Sequence, residues 1–221
     1  MNYKLSPSDM TFLLDGCERC FYLKVKNNIP QPSIPLPSIF SKIAGLLKNH
    51  FQGKRTDLLH PSLPPGIIKY GERWIESDAL TLQNHNDKCY IKGRFDIVIE
   101  FDNNTYGVVD FKTGSPDSSS SKLYARQLNA YAYALEHPAL GALRLSPVSK
   151  LALLYFHPTK VSQQNEGWLS FDAEITLIDI EKDEKGFINF IDQVLTILES
   201  PNPLAPSETC QWCNYIKRFQ S

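Results

Sequence analysis

An acidic and a basic residue, two positions apart, interrupt the apolar segment VVDFKTG at residues 108–114. Side chains two positions apart on a strand point to the same face, so a strand here would carry Asp110 and Lys112 together. A half-exposed surface strand could show the same pattern. What the pair can do therefore depends on which other residues share its face.

A second acid, Asp96, lies on the preceding predicted strand, CYIKGRFDIVIEF at residues 89–101. A three-residue loop over 102–104 would set Asp96 opposite Asp110, whereas a two-residue turn would set it opposite Phe111, on the wrong face. The apolar pattern favours the three-residue loop, because that loop aligns the apolar sides of the two strands. The apolar members of the first strand that we expect to face the core are Phe95, Ile97, Ile99 and Phe101.

This arrangement would bring two carboxylates and one ammonium group onto one polar surface. Neighbouring carboxylates repel unless a positive charge lies between them, and hard divalent cations such as Mg²⁺ and Mn²⁺ prefer oxygen ligands. Lys112 could stabilise developing negative charge or orient an attacking water. These groups suit metal-assisted phosphodiester hydrolysis; the alternative is a solvated charge pair with one extra acid.

The remaining elements must hold these strands in place. Helical spacing of apolar residues, or apolar runs bounded by turn signals, predicts helices over 38–51, 122–136 and 183–200, and strands over 105–113, 150–158 and 167–180. Helices before, between and after strands indicate an α/β or α+β domain with a central mixed sheet flanked by helices. No repeat or domain boundary is evident, so we expect a single domain over 1–221.

Three segments in this order resemble the PD-(D/E)XK nuclease superfamily, in its RecB-like branch. They are GRFD at Gly93–Asp96, DFKTG at 110–114 and QLNAY at 127–131. The resemblance implies a restriction-endonuclease-like core over residues 70–200.

The resemblance also implies roles for individual residues. Asp96 and Asp110 would bind the metal ion, with the Phe111 carbonyl as a third ligand. Lys112 would be the catalytic lysine. Gln127 and Tyr131, four apart on one helix face, would line the site.

RecB-like members often add a metal-binding histidine four residues after a glycine on an early helix. Here Gly45 plus four is Asn49, so His50 is one residue out of phase. His50 is a candidate metal ligand, with a surface histidine as the alternative.

Four of the five cysteines form two C-x-x-C pairs, Cys17 with Cys20 and Cys210 with Cys213. On spacing, four thiolates suit zinc or an iron–sulfur cluster equally, and four ordinary thiols are the alternative. The resemblance to the iron–sulfur exonucleases of CRISPR adaptation implies a 4Fe–4S cluster that joins the chain ends. We expect these ends, residues 1–60 and 201–221, to form a small lobe. The pattern departs from the family at Phe219, where a further cysteine is usual.

Composition restricts the function less than these motifs do. The net charge is −1, yet no acid lies between Arg19 and Thr56, so a locally basic arm could meet phosphates. No apolar run reaches the roughly 20 residues of a membrane span, and the first ten residues lack a signal-peptide core, so we expect a cytoplasmic protein.

The sequence predicts a Mg²⁺- or Mn²⁺-dependent deoxyribonuclease, an exonuclease acting on DNA that is single-stranded or has free ends. The alternatives are a non-catalytic nucleic-acid-binding protein and a subunit that requires a helicase or CRISPR adaptation partner.

Overall fold

The computed structural model describes residues 1–32, 37–116 and 118–218, without the side chains of 118–120. Phe219, the departure from the cysteine pattern, therefore lies outside the described residues. The strands of this part are β1 (Asn2–Leu5), β2 (Gly66–Tyr70), β3 (Arg73–Glu76), β4 (Lys88–Phe95), β5 (Ile97–Phe101), β6 (Tyr106–Thr113), β7 (Val148–Asn165) and β8 (Trp168–Ile180). The α-helices are α1 (Leu14–Gly16), α2 (Glu18–Asn27), α3 (Ser38–Phe51), α4 (Ser118–Glu136), α5 (Glu184–Glu199) and α6 (Gln211–Lys217).

The strands form two mixed sheets. One has the order β1-β4-β3, with β1 parallel and β3 antiparallel to β4. The other has the order β2-β5-β6-β7-β8, in which only β6 and β7 run parallel. Helix α4 connects these two parallel strands, as a parallel crossover requires. The predicted α/β class with mixed strands is confirmed, although the strands form two sheets rather than one.

The predicted strand over 89–101 is interrupted at Asp96. Strand β4 ends at Phe95 and joins the three-stranded sheet, whereas β5 begins at Ile97 and joins the five-stranded sheet. Phe95 packs in a different apolar cluster from Ile97, so the two residues do not share one core face. The interruption places Asp96 at the junction of the two sheets.

Both faces of the five-stranded sheet are apolar. Ile97, Ile99 and Val109 pack on the side of α3, while Val98 and Val108 pack under α4 and α5. The expectation of a polar face opposite the core is therefore wrong, because α4 covers the face that carries Asp96 and Asp110. Asp96 lies just before β5 and Asp110 lies within β6, so the two acids are on a buried face and not on a solvated surface.

Helix α4 is longer than predicted. It begins at Ser118, whereas the serine-rich sequence 114–121 predicts a polar loop. Serine has only modest helix propensity, so we attribute the extra turn to packing of the apolar side of α4 against the sheet. Leu128 and Leu135 on this side are fully buried.

The two ends of the chain lie together. Tyr22 and Lys26 of α2 donate hydrogen bonds to the Ser200 carbonyl at 3.0 and 2.8 Å, and Arg19 donates one to the Leu204 carbonyl at 3.3 Å. The N-terminal segment also contributes to the larger core, through residues such as Leu5 and Phe21. In the part of the chain that the structure describes, no helix is both long and apolar enough to cross a membrane.

Candidate active site

The hairpin of β5 and β6 has the predicted register. Ile97 pairs with Val109 and Ile99 with Gly107, and the Phe101 N–H donates to the Thr105 carbonyl at 2.9 Å across a three-residue loop. Continued by one residue, this register sets Asp96 opposite Asp110. A loop shorter by one residue would shift the pairing of the two strands by one position and place Asp96 and Asp110 on opposite faces of the sheet.

Both oxygens of Asp96 have partners. Oδ2 accepts a hydrogen bond from the Phe111 N–H at 2.8 Å, and Oδ1 lies 2.6 Å from Lys48 Nζ. In an antiparallel pair, the N–H and C=O of one residue point to the same neighbouring strand. The Phe111 carbonyl is therefore directed to the side of Asp96 as well.

The carboxylate of Asp110 is almost inaccessible, with 7% of its side chain exposed. Its Oδ2 is 2.5 Å from Lys112 Nζ in an ion pair but accepts no well-directed hydrogen bond. Burial raises the pKa of Asp110 to about 6; the charge of Asp96 adds to the rise, and Lys112 opposes it. This carboxyl group is thus held where its charge is poorly stabilised.

Lys112 contacts both an acid and an aromatic ring. Its Nζ lies 3.9 Å from the centroid of the Tyr124 ring on α4 and also forms the ion pair with Asp110. A cation over an aromatic face gains electrostatic stabilisation, and more when it is partly desolvated. The ring therefore fixes the position of an ammonium group whose side chain is 17% exposed.

Gln127 and Tyr131 lie on the side of α4 that covers the acids. Gln127 Nε2 donates to the Tyr131 hydroxyl at 3.1 Å, and that hydroxyl donates to the Arg94 carbonyl at 3.0 Å. Burial raises the pKa of Tyr131, and the nearby charges of Asp110 and Asp96 add to the rise. Gln127 Oε1 is buried and has no hydrogen-bond partner among the described residues.

Gly93 of the predicted motif allows the N-terminal segment to approach β4. A Cβ atom at this position would lie only 2.8 Å from Pro7 Cδ, and at an ordinary contact distance of 3.4 Å from Tyr131 Cε1. A side chain here would thus collide with Pro7. The glycine has a packing reason that the sequence pattern alone does not reveal.

Lys48 is a residue that the sequence reasoning missed. It lies on α3 and contacts Asp96 Oδ1, and its Nζ is also 3.3 Å from Glu72 Oε1. Burial acts to lower the pKa of Lys48, but the hydrogen bond and charge of Asp96, helped by Glu72, outweigh it and raise the pKa. The lack of acids in the segment around Lys48 was the available signal, but it did not single out this lysine.

The structure does not bring His50 to the two acids. Residues two apart on a helix are separated by about 200°, so with Lys48 turned to Asp96 the His50 side chain points elsewhere. His50 Nε2 lies 2.9 Å from Lys54 Nζ, and the ring packs edge-on against Phe51. His50 is exposed, as expected for the alternative of a surface histidine.

The oxygen donors at this point fit a divalent cation. Asp96, Asp110 and the Phe111 carbonyl supply hard ligands at the start of β5 and within β6, and Asp110 Oδ2 lacks a directed donor among the described residues. Lys48 and Lys112 balance the two negative charges. A cation between the carboxylates would also lower the cost of keeping Asp110 ionised while buried.

The four cysteines of the two C-x-x-C pairs, here called the cysteine quartet, also converge. Cys20 Sγ lies 3.4 Å from Cys213 Sγ and 3.8 Å from Cys210 Sγ, and Cys17 Sγ lies 3.9 Å from Cys213 Sγ. All four sulfurs fall within 4.8 Å of one another. Hydrogen bonds from backbone groups at Ser207 and Cys20 outweigh burial and lower the pKa of Cys17 to about 7. The quartet could hold a metal ion.

Among the comparisons with known proteins, the match to a family model supports the assignment of the fold. No curated protein sequence matches this chain. The crystal structure of SSO0001 is similar with a TM-score of 0.45 and 14% identity, over 90% of this chain and 78% of that one. The family model of the PD-(D/E)XK nuclease superfamily matches residues 49–218, which include both acids, Lys112 and α4. The chain therefore belongs to the PD-(D/E)XK nuclease superfamily.

Proposed function

We propose that the protein is a Mg²⁺- or Mn²⁺-dependent deoxyribonuclease whose active site comprises Asp96, Asp110 and Lys112. The observation that carries the proposal is the register of β5 and β6, which sets the two acids opposite each other beside the lysine. Membership of a nuclease superfamily supports phosphodiester hydrolysis as the reaction. Asp96, Asp110 and the Phe111 carbonyl would hold the cation.

A bound divalent cation would supply an activated water and Lewis-acid stabilisation of the phosphate oxygens. Lys112 holds its ammonium group beside Asp110 and stabilises the negative charge that develops on the phosphate during attack. Tyr124 limits the positions that this ammonium group can take. Lys48 holds the Asp96 carboxylate in one orientation, with Oδ1 toward α3 and Oδ2 toward Phe111.

Gln127 and Tyr131 complete the wall of the site. Among the described residues, Gln127 Oε1 is a buried acceptor without a hydrogen-bond partner, and a substrate-bound water or hydroxyl could satisfy it. Tyr131 is fixed by its hydrogen bond to the Arg94 carbonyl, so it keeps Gln127 in a single orientation. We assign Gln127 a positioning role.

The finer assignment is an exonuclease of the RecB-like branch that acts on single-stranded DNA or free ends. The support is the order of the three motifs and the two C-x-x-C pairs near the chain ends. In this assignment the protein acts in DNA repair, recombination or CRISPR adaptation, with a helicase or adaptation proteins as partners.

The cysteine quartet is proposed to bind one metal centre that joins the chain ends. With zinc–sulfur bonds of about 2.3 Å, tetrahedral geometry separates neighbouring sulfurs by about 3.8 Å, close to the separations in the quartet. A 4Fe–4S cluster holds one thiolate at each iron and spreads the sulfurs more widely. The resemblance favours the cluster, whereas these separations favour a single ion. Protein purified without oxygen distinguishes them: a cluster gives a brown protein containing iron, and a single zinc ion a colourless one.

The function is tested by incubating the protein with end-labelled linear single-stranded and double-stranded DNA, and with circular single-stranded DNA. We expect degradation of linear single strands with Mn²⁺ or Mg²⁺, none with a chelator, and an intact circle. Cleavage of the circle would replace the exonuclease assignment with an endonuclease. Absence of cleavage of any substrate at any metal concentration would favour a non-catalytic or partner-dependent protein.

A further inference from the structure

Phe12 of the N-terminal segment contacts the aromatic ring that lies against the active-site lysine. The rings of Phe12 and Tyr124 meet edge to face, with centroids 5.5 Å apart and planes at 75°. The same Tyr124 ring has its centroid 3.9 Å from Lys112 Nζ. A chain of direct contacts therefore runs from the N-terminal segment to the ammonium group at the active site.

The backbone that carries Phe12 is held in place by its neighbours. Phe12 belongs to a short π-helix, Asp9–Leu13, in which Met10 and Thr11 are fully buried. Thr11 Oγ1 donates a hydrogen bond to the Pro7 carbonyl at 3.0 Å. π-Helical turns are rare and are frequently found at functional sites. The Phe12 ring is thus presented from a fixed backbone.

A second contact joins the same segment to helix α4. Asp15 forms an ion pair with Arg126, which lies two positions after Tyr124 on α4. The Arg126 guanidinium also lies 4.6 Å from the centroid of the Phe190 ring on α5. These contacts keep the N-terminal segment beside the turn of α4 that carries Tyr124.

Burial in the core does not account for a phenyl ring at residue 12. Phe12 is 51% exposed and belongs to none of the apolar clusters of the described residues. An edge-to-face contact requires a flat ring, because the positive edge of one ring is attracted to the negative face of the other. Leucine would supply apolar surface without this attraction. Contact with Tyr124 therefore explains the ring better than the core does.

We propose that Phe12 is a positioning residue for the nuclease reaction and acts through Tyr124 on the Lys112 ammonium group. Phe12 supports the Tyr124 ring, and that ring limits the positions that the ammonium group can take. Without this support the ammonium group spends less time where it stabilises the charge that develops on the phosphate, and turnover falls. This inference rests on the proposed nuclease function and adds a residue outside the active site that sets its rate.

The kinetics of cleavage of linear single-stranded DNA with Mn²⁺ test this role. We expect Phe12→Leu to lower kcat about fivefold with KM unchanged, as the loss of one edge-to-face pair implies, and Phe12→Tyr to keep the wild-type kcat. In a Tyr124→Leu background, Phe12→Leu should lower kcat no further, because its effect passes through that ring. Thermal midpoints of the two Phe12 variants should stay close to that of the wild type, because the side chain is half exposed.

Phe171→Ala is the matched control. Phe171 is also exposed, at 62%, but lies on β8, where it pairs with Val161 of β7. Its replacement should leave both kcat and KM within about twofold of the wild type, since it has no contact with Tyr124 among those that the structure describes.

A second measurement does not depend on cleavage. In protein labelled with ¹³C-lysine and free of divalent cations, the Tyr124 ring should shift the ε-methylene protons of Lys112 upfield. This signal is identified by its loss in Lys112→Arg. Phe12→Leu should move it toward the position of a solvent-exposed lysine, whereas Phe12→Tyr and Phe171→Ala should leave it in place.

The proposal is wrong if Phe12→Leu leaves the Lys112 signal in place, whether or not kcat falls. It is also wrong if Phe12→Leu raises KM with kcat unchanged, which would make Phe12 a substrate contact, or if its effect on kcat persists in the Tyr124→Leu background. Wild-type cleavage with an unmoved Lys112 signal in Phe12→Leu would reject the positioning role alone. A moved signal in Phe12→Leu, with no cleavage by the wild type, would support the contact through Tyr124 and reject the nuclease function.

Discussion

The active site and the cysteine quartet both gather ionisable side chains, but they are assembled in opposite ways. Asp96, Asp110, Lys112 and Gln127 come from one hairpin and the helix that follows it. Cys17 and Cys213 are 196 positions apart, and their sulfurs lie 3.9 Å apart. The first site depends on the register of neighbouring strands, whereas the second depends on the return of the chain end to its beginning.

The two sites also differ in how they affect the free energy of folding. The active site buries Asp110 and leaves Gln127 Oε1 without a partner, so it decreases stability in order to hold a reactive arrangement. The quartet would increase stability once a metal ion is bound, because it closes a loop of nearly the whole chain. Variants should therefore separate activity from stability between the two regions.

The largest expected effect is on activity, from Asp110→Asn. The substitution keeps the shape of the side chain but removes a charge that the cation requires, so cleavage should fall by on the order of a thousandfold. The thermal midpoint should be equal or higher, because burial raises the pKa of Asp110 and its ionised form is therefore disfavoured in the folded state. Steady-state cleavage and thermal unfolding measure the two effects. Retained cleavage would contradict the assignment of Asp110.

The opposite result is expected for Cys210→Ala. Loss of one quartet ligand should remove the bound metal and lower the free energy of unfolding by about 2–5 kcal/mol, by analogy with a lost cross-link, while the folded molecules still cleave. Cys89→Ala is the matched control, because Cys89 is buried alone at a strand and outside the quartet. It should lower stability through a cavity but keep the metal content unchanged. Equal metal content in both variants would reject the quartet as a metal site.

Two residues of α4 sharpen the comparison within a single helix. Gln127→Ala should lower turnover about tenfold and leave stability nearly unchanged, because Gln127 contributes one hydrogen bond and one unsatisfied acceptor. Asn129→Ala should lower stability and leave turnover nearly unchanged. Asn129 Nδ2 donates hydrogen bonds to the carbonyls of Ala125 and Glu181, and its Oδ1 accepts one from the Asp183 N–H. Turnover and urea unfolding, measured for both variants, show whether activity and stability change in opposite ways. A large loss of stability in Gln127→Ala with turnover preserved would make Gln127 a structural residue.

The smallest expected effect is in the pH dependence of stability. The pKa of Asp110 is raised in the folded state to about 6 from its ordinary value of 3.8, so the folded state retains a proton that the unfolded state has lost. Without added Mg²⁺ or Mn²⁺, stability from this group should fall as the pH rises from about 4 to about 6, by on the order of 1–3 kcal/mol. Urea unfolding of wild type and Asp110→Asn across this range isolates the effect. Parallel pH curves for the two proteins would contradict it.

The sequence permitted prediction of the parts that local patterns determine. The apolar alternation around residues 102–104 predicted the loop length, and with it the position of Asp96 opposite Asp110. The paired spacing of the cysteines indicated a candidate metal site, but only the resemblance to a known family implied that the two pairs meet. The loop length rests on a short-range pattern that tertiary packing does not override, whereas the meeting of the two pairs does not.

Other features depend on contacts that no local pattern encodes. The alternation continues through Asp96, so it could not reveal that Phe95 and Ile97 enter different cores. Lys48 reaches Asp96 from a helix 48 residues earlier, and its sequence neighbourhood has no motif. The sequence predicted a polar surface on the side of Asp96, but α4 packs over this side and buries Val98. The sequence does not show where α4 packs, so this burial could not be predicted.

The most direct test of the account is the cleavage of linear single-stranded DNA with Mn²⁺ by wild type and Lys112→Ala. Lys112 belongs to the active site alone, so the variant should fold, retain the metal content of the cysteine quartet and lose cleavage by on the order of a hundredfold or more. The account predicts this loss in a variant that still unfolds cooperatively, with a lower thermal midpoint because Asp110 loses its ion-pair partner. Cleavage at the wild-type rate by folded Lys112→Ala would contradict the assignment of the active site.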